Sequence, residues 1–283
     1  MKRAIPKIKK IEELEKEIIS EEKKILQNAS IELQKKISEN DVSTIDIQKK
    51  IIAKQEIDYK NFNLRRDKAI DKLDIILREL IGREFNNSDS EHWPLFSAIS
   101  NLVSSNINIL EIGTADGITA SILASLFPQS EIVTIDLPAT NKTFKESYNR
   151  ENIFNEYVDR RNNLLDQHDN ISFIEMNSIK LNNWAKKSFD LIWVDGAHGY
   201  PVMPLDLYNA CMLIKVSGFI VIDDIFLNLR KTDKMYRSTA AIETLRLFKD
   251  NGILNDFNLI RKRLALKHNF KGLNEKYLGV IKF

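Results

Sequence analysis

Residues 106–119, NINILEIGTADGIT, limit what this chain can fold into more than any other stretch. An alternating apolar run ends in Glu111, a tight Gly-x-x-x-Gly turn follows, and a helix of small residues runs from Ile118 to Phe127. Strand, glycine turn and helix make the first half of a βαβ unit of the kind that binds nucleotide-like ligands. Lacking Cβ atoms, Gly113 and Gly117 let the backbone reach positive φ and let a ligand approach the main chain closely. The spacing differs from the G-x-G-x-x-G of dinucleotide sites, because Ala115 stands where the second glycine would be. A pyrophosphate needs that close approach, whereas a ligand without phosphates does not. About twenty residues on, the strand 131–136 ends in Asp136, placed to accept hydrogen bonds from ribose hydroxyls.

From this point strand and helix patterns alternate, as a doubly wound parallel α/β sheet requires. Strands are expected at 107–112, 131–136, 171–176, 190–195 and 218–223, with two more near 257–267 and 277–283. Helices are expected at 117–127, about 146–165, 203–214 and about 238–250. The long connection 138–170 carries Tyr148, Arg150, Tyr157, Arg160 and Arg161, a mixed aromatic and basic surface. It suits substrate contact or a solvated amphipathic helix.

Ahead of the sheet, residues 1–85 hold one glycine and one proline and have helical character. Ile11, Leu14, Ile18 and Ile25 fall on a heptad-like seam that lapses afterwards, Asn40 to Thr44 reads as a break, and Ile70, Leu73, Leu77 and Leu80 form one apolar stripe. The chain is therefore expected to divide into a helical extension, 1–85, serving as a lid or as a homo-oligomer contact, and a main domain, 86–283. Residues 82–93 read as a hinge, and His92-Trp93 as a wall of the ligand pocket or as packing. With 43% hydrophobic residues, 29% charged and a formal net charge of +2, the composition is that of an ordinary globular protein. That balance does not favour a nucleic-acid partner. The single Cys211 has no partner for a disulfide, and no signal sequence or membrane-length apolar run is visible, so a cytoplasmic location without membrane attachment is expected.

A second constellation carries reactive groups. In 189–201, FDLIWVDGAHGYP, four apolar residues bury a strand and deliver Asp195 at its carboxyl end, where open α/β sheets place their ligands. The next strand, 218–224, delivers Asp223 and Asp224 to the same edge. Two unit charges about 4 Å apart repel by roughly 4 kcal/mol at an effective dielectric of 20. Three converging carboxylates need protonation, a cationic partner or a metal. Their all-oxygen chemistry suits a hard divalent cation, Mg²⁺ first and Ca²⁺ or Mn²⁺ next. His198, with an ordinary pKa near 6.5, can take a proton at neutral pH.

The wording LEIGTADGITAS resembles the first motif of the class I S-adenosylmethionine (SAM) methyltransferases, closest to their O-methyltransferase branch, and the resemblance covers roughly residues 90–283. It implies a Rossmann-like seven-stranded sheet closed by a terminal hairpin. It also implies SAM contacts from Glu111, Gly113, Thr114, Gly117 and Asp136, with Asn177 and Ser178 near adenine. The acidic strand ends are similar to those of the metal-dependent O-methyltransferases that act on catechols and natural-product sugars. That likeness implies Asp195, Asp223 and Asp224 as Mg²⁺ ligands, His198 (three residues after the first Asp) as catalytic base beside Asp195, and an aromatic at Tyr200. The expected substrate is a small molecule or glycan, a sugar first and a catechol-like phenol second. A nucleic-acid amino-methyltransferase would carry an Asp/Asn-Pro-Pro-Tyr/Phe motif where this chain has Asp195-Gly-Ala-His198. Two further alternatives are a hydroxylase-like or metal-independent relative of the same fold, resembling the cephalosporin-hydroxylase group, and a non-catalytic cofactor-binding assembly module. Against the module stand the glycine loop, the ribose acid and the acidic cluster, none of which a scaffold needs.

Overall fold

A computed structural model describes residues 49, 52–86, 89–103, 106–147, 153–184, 187–228, 238–262 and 276–283. Contacts divide the chain into two units, Met1–Lys50 and Ile51–Phe283, and the sheet belongs to the second. The seam from Ile11 to Ile25, the break at 40–44, Tyr148 and Arg150 lie outside the described residues.

The elements, in chain order, are α1 (52–60), α2 (Arg66–Ile81), α3 (His92–Ile99), β1 (Asn108–Ile112), α4 (Ile118–Leu126), β2 (Glu131–Asp136), α5 (Lys142–Glu146) and α6 (Phe154–Leu165). After them come β3 (Ile171–Glu175), α7 (Leu181–Trp184), β4 (Phe189–Val194), α8 (Val202–Leu213), β5 (Ile214–Phe226), α9 (Ala240–Asp250), β6 (Asn258–Arg261) and β7 (Lys276–Lys282). The seven strands form one sheet in the order β3-β2-β1-β4-β5-β7-β6. The first five are parallel, and β7 runs against both of its neighbours. The order reverses after β1, between β1 and β4, and at such a switch point the loops diverge and leave a crevice beyond the carboxyl ends of the strands.

Successive strand residues point to opposite faces, and both faces here are apolar, as a sheet covered on two sides requires. Ile109, Leu191, Trp193, Val221, Leu278 and Val280 join a core with buried residues of α2, α3 and α4. Leu110, Ile192, Val194, Ile220, Ile222 and Ile281 join the opposite core with residues of α8 and α9. The helices expected within 1–85 are described from residue 52 onward. There Tyr59, Leu73 and Leu77 are fully buried in the same core as α3 and α4, and Arg66 makes a bidentate pair with Glu91 at 2.6 and 2.9 Å. Among the described residues no helix is long and apolar enough to cross a membrane.

β5 is irregular near its carboxyl end. Ile222 and Ile225 both belong to the core on the α8 and α9 side, although three residues apart they would face opposite ways on a straight strand. The pairing with β7 shifts between these two positions, and Asp224 has a φ of 52°. The extra residue is a β-bulge, and it falls on Asp223 and Asp224.

Candidate active site

The glycine turn is tied to strands on both sides. Gly113 N–H donates to the Ile135 carbonyl at 2.9 Å, and Asp195 N–H donates to the Ile112 carbonyl at 2.8 Å. Gly113 has a φ of 104°, and a Cβ on it would lie 2.3 Å from the Asp195 carbonyl oxygen. Glycine is required there by the neighbouring main chain as well as by any ligand. Gly117, with a φ of 81°, precedes α4 and packs against Leu165. Asp136 closes the turn: its carboxylate accepts from Ala115 N–H at 2.9 Å and Leu137 N–H at 2.7 Å.

A cavity of about 630 Å³ opens at this edge. Its size suits a small-molecule or cofactor site. Gly113, Asp136, Asn177, Ser178 and Asp195 line it, together with Asn141, Phe144, Tyr157 and Arg160 from the β2–β3 connection. Asn177 also accepts from Ile179 N–H at 3.0 Å, which fixes the turn after β3. Of the residues expected at the cofactor, Glu111, Thr114 and Gly117 do not line this cavity. Thr134 bonds both Thr114, at 2.6 Å, and a carboxylate oxygen of Glu111, at 2.5 Å. Burial pushes the Glu111 carboxyl up to about 8. Its place is beneath the turn, joining β1 to β2. His92 and Trp93 do not wall the cavity either. Both bond the Thr119 hydroxyl at 3.2 Å, and the His92 ring lies 4.5 Å from Trp193 in the core. In the connection, Arg161 is buried with its guanidinium 4.3 Å from the Phe173 ring, and Arg160 takes the cavity position.

The structure brings Asp195, Asp223, Asp224 and His198 together. His198 Nε2 lies 3.7 Å from Asp195 Oδ1 and 3.9 Å from Asp224 Oδ2. Burial lowers its pKa, against the opposing pull of the Asp224 and Asp223 carboxylates, so the imidazole is neutral at neutral pH. Burial, then the charges of Asp223 and Asp224, raise Asp195 well above the usual carboxylate range. Asp223 is held well below that range: burial works to raise it, and the Lys262 ammonium overrides that effect. Tyr200, expected beside the site, is exposed and donates to Glu243 at 2.6 Å.

Two lysines that the sequence reading passed over complete the cluster. Lys262 Nζ makes a very short bond to Asp223 Oδ1 and one of 2.8 Å to Asp224 Oδ1, and Lys276 Nζ lies 2.5 Å from Asp224 Oδ1. Lys262 follows Ile260 by two residues and Lys276 precedes Leu278 by two, so both fall on the sheet face of those core residues. They face one another across β6 and β7, where Lys262 N–H donates to the Lys276 carbonyl at 2.8 Å. The detectable signal was this alternation within the two terminal strand-like runs. A Mg²⁺ ion on Asp223 and Asp224 would need their oxygens at about 2.0–2.1 Å, and Ca²⁺ at about 2.3–2.6 Å. Lys262 Nζ already bridges those two carboxylates. The donor set therefore does not fit the divalent cation expected from the sequence. Among the described residues, no group of three or more His, Cys, Asp or Glu could hold a metal ion.

Comparison with known proteins comes to the same region. No curated protein matches the sequence. Among solved structures, the N-methyltransferase NodS from Bradyrhizobium japonicum is similar at 17% identity and a TM-score of 0.43, covering 65% of this chain and 90% of that one. An rRNA methylase from Streptococcus thermophilus is similar at 9% identity and a TM-score of 0.43, covering 66% and 93%. An O-methyltransferase family protein from Burkholderia thailandensis is similar at 11% identity and a TM-score of 0.42, covering 67% and 55%. Residues 110–225 match the model of a family described as a methyltransferase domain. The stretch from β1 to β5, which carries the glycine turn, Asp136 and the acidic strand ends, is thus the part of this chain that is similar to a methyltransferase domain.

Proposed function

We propose that this chain transfers the methyl group of SAM to a hydroxyl oxygen of a small molecule, a sugar of a glycan or natural product first and a catechol-like phenol second. One observation carries the reading. A buried, neutral imidazole lies 3.7 Å behind Asp195, and Asp195 lines the same cavity as the glycine turn and Asp136. SAM binds along Gly113, Asp136, Asn177 and Ser178, with its ribose hydroxyls donating to Asp136. The acceptor hydroxyl meets Asp195. A neutral imidazole can accept a proton, so the hydroxyl proton passes to His198. The oxygen lone pair attacks the methyl carbon as the carbon–sulfur bond breaks, and its electrons return to sulfur to give the thioether. Positioning supplies most of the acceleration, and no covalent enzyme intermediate forms. No step runs through a divalent cation, because ammonium groups already hold Asp223 and Asp224.

The test follows labelled methyl from SAM onto a panel of sugars and catechols. His198→Ala should lower kcat by about 10²- to 10⁴-fold, the usual contribution of a general base. Calorimetric binding of S-adenosylhomocysteine should be unchanged in that variant. Transfer at the parent rate would remove His198 from the proton path.

A further inference from the structure

The acidic strand ends pose a charge problem that a metal, protons or cationic side chains could each solve. We propose that the Lys262 ammonium, seconded by Lys276, is the resident cation of the Asp195, Asp223 and Asp224 cluster, and that this chain's site works without a divalent metal.

Three observations support the assignment. The first is position. Lys262 Nζ contacts one oxygen of Asp223 and one of Asp224, the two atoms a chelated cation would take, and it donates to both. The second is burial. The side chains of Lys262 and Asp223 are 7% and 8% exposed, so the ammonium is not a surface lysine folded onto the cluster. A buried charge pair persists only with good geometry and hydrogen bonds for its remaining protons. Here Asp223 and Asp224 satisfy two of the three. The third is backbone construction. On a regular strand, Asp223 and Asp224 would point to opposite faces. The bulge, with Asp224 at a φ of 52°, brings both to the side where Ile260 and Leu278 place the two lysines. Lys262 and Lys276 lie directly opposite one another, an arrangement that repels unless anions lie between them. Asp224 does so, at 2.8 Å from one and 2.5 Å from the other. Two ammonium groups in direct contact with Asp223 and Asp224 offset most of the charge of the three carboxylates without a metal.

The full-length chain, treated with chelator and dialysed, is titrated with Mn²⁺ alone, free Mn²⁺ being followed by electron paramagnetic resonance. The parent protein should show no binding that Asp223→Asn removes. Lys262→Ala combined with Lys276→Ala exposes the carboxylates, and should gain one Mn²⁺ site with at least tenfold higher affinity, lost again on adding Asp223→Asn. Folding of the variant is checked by S-adenosylhomocysteine binding. One equivalent of Mn²⁺ on the parent, lost in Asp223→Asn, overturns the proposal without need of any lysine variant. A folded double-lysine variant that gains no site also overturns it, since the ammonium groups would then not stand at a cation position. Neither measurement uses a methyl acceptor, so failure here is distinct from failure of the His198 reading.

Discussion

Glu111 lies fully buried where β1 reaches the glycine turn, and its proton makes the stability of the fold depend on pH. Its carboxyl is pushed by burial to about 8, against an ordinary value of 4.5. Between those values the folded chain holds a proton that the unfolded chain has released, so stability falls as pH rises from 4.5 towards 8 and levels off above. Glu111→Gln carries a neutral amide in the same space and lacks this term. Urea unfolding at pH 5 and pH 8 should therefore show a larger loss for the parent than for the variant, and equal losses would mean that Glu111 folds ionised. Residues of this kind were half legible in the sequence. Gly113, Asp136, Asn177, Ser178 and Asp195 stand at the cavity because motif spacing fixes where a strand ends. Glu111 and Thr114 belong to the same motif but face inward, since strand alternation at that point was set by packing on β2.

At the scale of elements, the strand from Ile214 to Phe226 shows what pattern alone leaves out. The expected strand 218–223 forms its centre, yet the bulge needs β7 opposite, and the sequence does not announce which strands pair. Lys262 and Lys276 stayed hidden for the same reason: their meeting depends on the register of a hairpin, in which Arg261 lies opposite Tyr277. The helix expected at about 146–165 corresponds to α6, described from Phe154, while α5 lies ahead of it and is capped where Asn141 accepts from Thr143 N–H at 2.9 Å. The bulged pairing also has an energetic consequence. Asp223→Ala leaves a buried ammonium short of its main anion, and removal of one partner from such a pair costs about 3–5 kcal/mol. Lys262→Met in that background should restore part of the loss, because the uncompensated charge has gone. Guanidinium unfolding of the two variants and the double variant measures both values, and a loss below about 1 kcal/mol for Asp223→Ala would place the pair at the solvated end of the range.

Taken whole, the unit from Ile51 onward carries its first two helices as part of the core. Tyr59, Leu64, Leu73 and Leu77 are at most 5% exposed, and a large buried side chain of this kind contributes about 1.5–3 kcal/mol. Four of them together reach the total stability of many domains, about 5–15 kcal/mol. A chain of residues 51–283 should unfold cooperatively, whereas residues 86–283 should be insoluble or lack a cooperative transition in calorimetry. A well-folded 86–283 would show that α1 and α2 contribute little to the core. The contact at Gly113 has a further consequence at this scale. With the turn's main chain pressed against the Asp195 carbonyl, the loop after β1 and the loop after β4 have no freedom to slide past each other. In the proposed reaction the span over which the methyl group travels would thus be set in the unloaded protein, like a fixed gauge. Accommodation of acceptors of different bulk falls to the walls contributed by α5 and α6, where side chains can be exchanged without moving that gauge.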